Sequence, residues 1–175
     1  MYIGDPSKFA IEVVSEDLSE ALAEVHLVLD GERISGRDPV FMPTFVSELD
    51  SYRKIQIKHP DLLRFDPIDP PDFCDLSDEE AFVLLNDAMN ERTTIKGVTD
   101  SDLYHYYRMQ NLDDAVDDWL IYVFDSSQQK RIVCRRRSFK DPEGYTGRLL
   151  STCITRDEFD RVIRTFVEMV EAANA

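Results

Sequence analysis

The run Asp113-Asp114-Ala115-Val116-Asp117-Asp118 is the sharpest local concentration of one chemistry in the chain. On a helix, Asp113 with Asp117 and Asp114 with Asp118 are i, i+4 neighbours, so four carboxylates share one side. Such a cluster offers the oxygen ligands that Mg²⁺ takes in octahedral array. Without a metal the like charges repel one another and cost helix stability. A metal site needs further ligands, and the sequence names none, so the run reads as an exposed acidic patch and no metal or other cofactor is expected. A second run, Asp66, Asp69, Asp72, Asp75, Asp78, Glu79 and Glu80, superficially suggests a calcium loop. It lacks the central glycine of an EF-hand turn and is broken by Pro67, Pro70 and Pro71.

Nucleophilic and cofactor chemistry find no motif. The three histidines are His26, within an apparent strand, His59, before a proline, and His105, among Tyr104, Tyr106 and Tyr107. None accompanies a Ser or Cys in a nucleophile motif such as G-x-S-x-G. G-x-G-x-x-G and P-loop patterns are missing as well. No catalytic residue is assigned, and the chain does not read as an enzyme. Cys74, Cys134 and Cys153 are odd in number and form no C-x-x-C pair, which argues against both a disulfide framework and a zinc site. They read as small apolar residues in a reducing cytoplasm.

The charge balance points to a partner class. Asp and Glu number 35 against 20 Lys and Arg, a net −15 with a pI near 4.5. Direct binding of nucleic acid or of an anionic membrane is disfavoured, whereas a basic protein is attracted and steered. Simple solubility is the competing account of the same total. The distribution is more telling: residues 1–127 hold 28 acids and 10 bases, residues 128–175 hold 7 acids and 10 bases. Arg135-Arg136-Arg137 is the one basic cluster. On a strand Arg136 faces away from its neighbours, so pairing with the protein's own acids is the expected use.

The positioning elements are mixed. With 175 residues, 43% of them hydrophobic, the chain fits one domain, 1–175, with a core of its own. No stretch approaches the ~20 apolar residues of a membrane span, and the N-terminus lacks the pattern of a secretory signal. Residues 9–14 and 24–29 suggest strands, the second with Val25, Leu27 and Leu29 on one face and followed by a type I′ turn at Asp30-Gly31. Glu32 to Ser35 is the return strand. Phe45 to Lys54 predicts a helix with Phe45, Leu49 and Tyr52 on one side, and residues 59–74, with four prolines, predict irregular chain. Ser77-Asp78-Glu79-Glu80 is a capping box opening a helix with Ala81, Leu84, Leu85 and Ala88 as its buried stripe. A further short helix is expected over 101–110. Trp119 to Phe124, apolar on both faces, predicts a central strand covered on each side. Residues 130–137 and 147–154 complete a sheet. Thr155-Arg156-Asp157-Glu158 is a second capping box, with Ile154 and Phe159 as its hydrophobic staple. Phe159, Val162, Ile163, Phe166, Val167 and Val170 then form the stripe of an amphipathic C-terminal helix. The fold class is α+β, an antiparallel sheet with helices packed on it.

The opening Ile3-Gly4-Asp5-Pro6-Ser7-Lys8-Phe9-Ala10-Ile11-Glu12 resembles the start of bacterial polymorphic-toxin immunity proteins, most of all the immunity protein 42 family. The turn Asp30-Gly31-Glu32-Arg33-Ile34-Ser35-Gly36, the 119–124 strand and the closing helix are similar as well. The resemblance covers residues 3–36 and, loosely, 119–173; the middle, with both acidic runs, matches no nameable pattern. It implies a cytoplasmic antidote of the contact-dependent growth inhibition kind, which binds the C-terminal domain of a cognate toxin and blocks its active site or substrate path. Joined to the charge argument, it implies a basic nuclease as target, an RNase in preference to a DNase, occluded by an acidic surface. The expected toxin-facing residues are Asp66, Asp69, Asp72, Asp75, Asp78, Glu79, Glu80, Asp113, Asp114, Asp117 and Asp118. Gly4-Asp5-Pro6 reads as a structural turn. An acidic adaptor or anti-repressor, or a divalent-metal enzyme using Asp113–Asp118, are the alternatives the residues leave open. The oligomeric state stays open too, with a monomer favoured.

Overall fold

A turn with proline at its second position starts the architecture, because Pro6 already holds the φ that this position requires. The Lys8 amide donates to Asp5 O at 2.9 Å, and the Asp5 carboxylate accepts from the Ser7 amide at 2.9 Å and its hydroxyl at 2.7 Å. The turn joins β1 (Tyr2–Asp5) to β2 (Phe9–Val13), as the Gly4-Asp5-Pro6 reading anticipates. The structure is a computed structural model that describes residues 1–34, 38–58, 76–93, 109, 112, 118–126 and 129–175.

After β2 the chain forms β3 (Leu22–Ala23), β4 (Val25–Leu29) and β5 (Glu32–Arg33). Asp30 and Gly31 link the last two with φ of 50° and 78°, the left-handed pair that a type I′ hairpin needs. Sheet order is β1-β2-β4-β5, antiparallel throughout. β3 instead pairs with β6 (Val40–Phe41), with Leu22 opposite Phe41 and Ala23 opposite Val40. Helix α1 follows over Met42–Lys58 and buries Phe45 and Leu49 as expected.

The second half builds one three-stranded sheet between two helical layers. Helix α2 is Asp78–Met89, and the sheet is β7 (Trp119–Ser126), β8 (Gln129–Arg137) and β9 (Tyr145–Thr155). Their order is β7-β8-β9, antiparallel, so β8 is central and β7 pairs with β8 alone among the described residues. Among the described strands Trp119–Phe124 has the single neighbour β8, and on its other edge the Ile121 carbonyl accepts from the Met109 amide at 3.0 Å; its two-sided burial holds as expected. Ile121 and Val123 face the larger core, and Leu120 and Tyr122 face α2. A helix layer on each face makes the strand apolar on both sides.

The closing helix α3 (Arg156–Ala173) seats Phe159, Val162, Ile163, Phe166, Val167 and Val170 in that larger core, the stripe the periodicity predicts. Burying such side chains stabilises by about 1.5–3 kcal/mol each. Phe159 meets Phe9 at 5.0 Å between ring centres, and Phe166 meets Phe45 edge-on at 5.9 Å. The helix comes so close to β1 that Gly4, at φ +103°, has no room for a side chain: a Cβ there would lie 2.6 Å from Phe9 O and 2.8 Å from Val162 Cγ2. Thr155 caps the helix by accepting from the Glu158 amide at 3.2 Å. The return bond of the second expected capping box is not among the described hydrogen bonds. The Glu158 carboxylate lies 4.0 Å from Arg161 instead.

The architecture is α+β: antiparallel sheets packed with helices, ending on an amphipathic helix. Among the described residues no helix is long and apolar enough to cross a membrane. The expected irregular segment 59–74 and the helix over 101–110 lie outside the described residues, Met109 apart.

Candidate functional site

The acidic face predicted at the start of α2 is positioned by a complete capping box. Ser77 Oγ accepts from the Glu80 amide at 3.3 Å, and the Glu80 carboxylate accepts from the Ser77 amide at 2.9 Å and its hydroxyl at 2.6 Å. These bonds hold the Glu80 carboxyl below its ordinary pKa. With Asp78 and Glu79 it places three acids in the first turn, where the helix dipole favours negative charge.

Two of those carboxylates reach back to the sheet. Asp78 pairs with the Arg131 guanidinium through Oδ1 and accepts the Ser151 hydroxyl at 2.6 Å through Oδ2. Arg131 also donates to Leu76 O at 2.8 Å, tying the chain just before the helix to β8. Glu79 pairs with Arg135, whose guanidinium stacks 5.5 Å from the Phe82 ring centre and 5.0 Å from that of Tyr145. Phe82 in turn meets Tyr122 at 5.4 Å and Tyr145 at 5.0 Å, both edge-on. Phe82 is fully buried and Leu84 only partly, so the inward stripe is Ala81, Phe82, Leu85 and Ala88 in place of the one expected. Asp78 and Glu79 therefore fasten α2 to the sheet, with half-exposed carboxylates.

Asp118 stands at the entry to β7, its carboxylate 3.7 Å from Arg136 and both side chains exposed. Its carbonyl accepts from the Arg137 amide at 2.7 Å. The arginine triplet thus meets the expectation of internal pairing at two positions, Arg135 with Glu79 and Arg136 with Asp118. Arg137 lies 5.9 Å from the ring centre of Phe139, which is 88% exposed. Asp66, Asp69, Asp72, Asp75, Asp113, Asp114 and Asp117 lie outside the described residues; among the described ones Asp78, Glu79 and Glu80 come together on α2, and Asp118 pairs with Arg136, next on β8 to the Arg135 that Glu79 holds.

A cleft of about 310 Å³ opens between the C-terminal half of α2 and the β8–β9 turn, floored by Asn86 and Tyr122 and rimmed by Phe139. Its polar floor is internally hydrogen-bonded. Asn86 Oδ1 accepts from Tyr122 and Asn90, each at 3.3 Å, and its amide donates to Glu143 O at 3.3 Å. No group of three or more His, Cys, Asp or Glu side chains able to hold a metal occurs among the described residues. His26 is buried on β4 with Nε2 3.2 Å from Glu24 Oε1, a structural placement. His59 and His105 lie outside the described residues. Cys134 is buried, and burial pushes its thiol pKa up; Cys153 is exposed on β9 and departs from the apolar reading given to all three cysteines.

The chain belongs to the immunity protein 42 family, whose model matches residues 1–169 and so takes in the middle of the chain as well. Membership makes it an immunity protein, and that role implies a cognate toxin as its partner. The fold is similar to the crystal structure of CdiI from Burkholderia dolosa AUO158. The match has a TM-score of 0.61 over 97% of this chain and 99% of that one, at 16% identity. Among curated proteins none matches the chain.

Proposed function

We propose that this immunity protein neutralises its cognate toxin by binding the toxin's C-terminal domain and covering the active site or substrate cleft with an acidic surface. The toxin is a basic nuclease, an RNase in preference to a DNase. The observation that carries the reading is the charge: −15 overall, with 28 acids against 10 bases before residue 128. An enzyme that cuts a polyanion needs a basic cleft, and a protein of opposite field is steered to it faster than diffusion alone would bring it. The chain acts as an inhibitor in the cytoplasm and carries out no catalysis of its own.

Of the acids assigned to that surface, Asp66, Asp69, Asp72, Asp75, Asp113, Asp114 and Asp117 lie outside the described residues, and Asp118 lies 3.7 Å from Arg136 with both side chains exposed. Asp78, Glu79 and Glu80 serve the packing of α2 and meet the toxin only with what their partners leave exposed. Co-expression with the C-terminal domain encoded beside this gene tests the reading, with growth rescue as the expected result. Calorimetric titration of the purified pair should give tight binding that weakens as salt rises. No rescue and no complex would overturn the proposal. A toxin domain that permeabilises membranes and degrades neither RNA nor DNA would overturn its nuclease part.

A further inference from the structure

Between Lys8 and Arg33 the chain contains no Lys or Arg, yet it contains seven acids: Glu12, Glu16, Asp17, Glu20, Glu24, Asp30 and Glu32. Several of these are neutralised from elsewhere. Glu12 takes a two-pronged pair from Arg33 at 2.6 and 2.8 Å, while Asp30 and Glu32 take Arg148 at 3.4 and 2.6 Å. Glu16, Asp17 and Glu20 are exposed and make no ion pair among the described residues; Asp17 bonds only Ser19, at 2.8 Å to the amide and 2.6 Å to the hydroxyl. Glu24 is half-exposed beside His26.

The same segment shows apolar surface. In the two-stranded β3–β6 ladder, Ala23 and Val40 turn inward and are buried, whereas the facing pair Leu22 and Phe41 is 57% and 46% exposed. Val14 is 41% exposed, and its amide bonds Glu24 O at 3.0 Å, two residues beyond Leu22. The backbone here is tied down. Ser15 donates its amide to Glu24 O at 3.2 Å and accepts the Glu24 amide on its hydroxyl at 2.7 Å, and Met42 N donates to Ala21 O at 2.9 Å. An ordered apolar centre with a charged rim is the anatomy of a protein interface.

We infer that the outer face of the β3–β6 ladder, with Leu22 and Phe41 at its centre and Glu16, Asp17, Glu20 and Glu24 around it, is a docking surface for the toxin. It fits a protein surface with an apolar side chain ringed by Lys and Arg. The inference rests on the toxin-binding reading proposed above and names a surface for it separate from α2. A second copy of this chain would set four carboxylates against four, and nucleic acid or an anionic membrane is repelled by the same field.

The test is calorimetry of the full chain against the purified toxin domain, with urea midpoints taken in parallel. Glu16→Lys with Glu20→Lys should weaken binding by at least about tenfold at low salt and less at high salt, with an unchanged midpoint. Leu22→Ser should weaken it several-fold at every salt concentration. Wild-type affinity in both variants overturns this surface while leaving the toxin-binding reading intact. Absence of binding by the wild type overturns both. A dimer of the chain alone that Leu22→Ser dissolves would assign the face to self-association and overturn the inference.

Discussion

The first turn of α2 and the segment 14–24 are both acidic, and they spend their charge in opposite ways. Asp78 and Glu79 are answered by Arg131 and Arg135 from β8, and Glu80 closes its own helix cap. Glu16, Asp17 and Glu20 meet no base among the described residues, and exposed Leu22, Phe41 and Val14 lie in the same part of the fold. Acidic composition thus conflates two devices. One locks a helix to a sheet and nearly cancels its own field. The other leaves the field unbalanced over an ordered surface, at the cost of mutual repulsion. A charge map drawn from sequence density selects the first and passes over the second.

If α2 is held as described, its attachment should be the more fragile of the two to substitution. The largest effect belongs to Phe82→Ala, which empties the space between Tyr122, Tyr145 and Arg135 and should cost about 3–4 kcal/mol in urea unfolding. Asp78→Ala comes next. It removes the carboxylate shared by Arg131, whose side chain is 13% exposed, and Ser151. Deleting one partner of a buried pair costs 3–5 kcal/mol, and the partial exposure of Asp78 reduces this to about 2–3 kcal/mol. Ser77→Ala should cost about 1 kcal/mol as a lost helix cap. If Asp78→Ala and Ser77→Ala both leave the urea midpoint unchanged, the first turn is not a fastening and the contrast between the regions collapses.

Acid provides a sharper instrument. The Arg33 guanidinium, with help from the Tyr2 hydroxyl, holds the Glu12 carboxyl below its ordinary value of 4.5. A depressed folded-state pKa contributes stability that is present above the unfolded-state value and is lost as pH falls through the folded one. Stability should therefore decline below about pH 4.5, and Glu12→Gln should flatten that decline while lowering stability near neutrality. A variant whose acid limb matches the wild type would remove Glu12 from the account.

What was legible in the sequence was local. The Asp30-Gly31 hairpin, the Ser77 box and the α3 stripe each rest on residues within a turn or two of one another, and each is present as read. The features left open or misplaced are the ones set by distant partners. Trp119–Phe124 is apolar on both faces because α2 and α3 cover opposite sides of its sheet, and burial alone does not say which strands lie beside it. Helical spacing points Leu84 inward where Phe82 takes the place, because the aromatic pocket is completed by Tyr122 and Tyr145 from β7 and β9. The pairing of Asp78 with Arg131 and of Glu79 with Arg135 spans more than fifty residues, beyond the reach of any spacing rule. The acids of 14–24 recur every few positions, so no window of density marks them. Their signal in the sequence is the missing base between Lys8 and Arg33.

The smallest expected effect tests the other half of the contrast. Glu16→Lys with Glu20→Lys touches exposed groups that make no ion pair among the described residues, so no native contact is lost. The change also moves the net charge from −15 to −11, since each substitution replaces −1 by +1. Self-repulsion falls slightly, and the urea midpoint should stay the same or rise, with a shift within about 0.5 kcal/mol. A loss as large as that of Asp78→Ala would mean that these carboxylates hold the fold as those of α2 do. The two acidic regions would then be one kind of device, and the exposed face of β3–β6 would lose its claim to a surface kept for a partner.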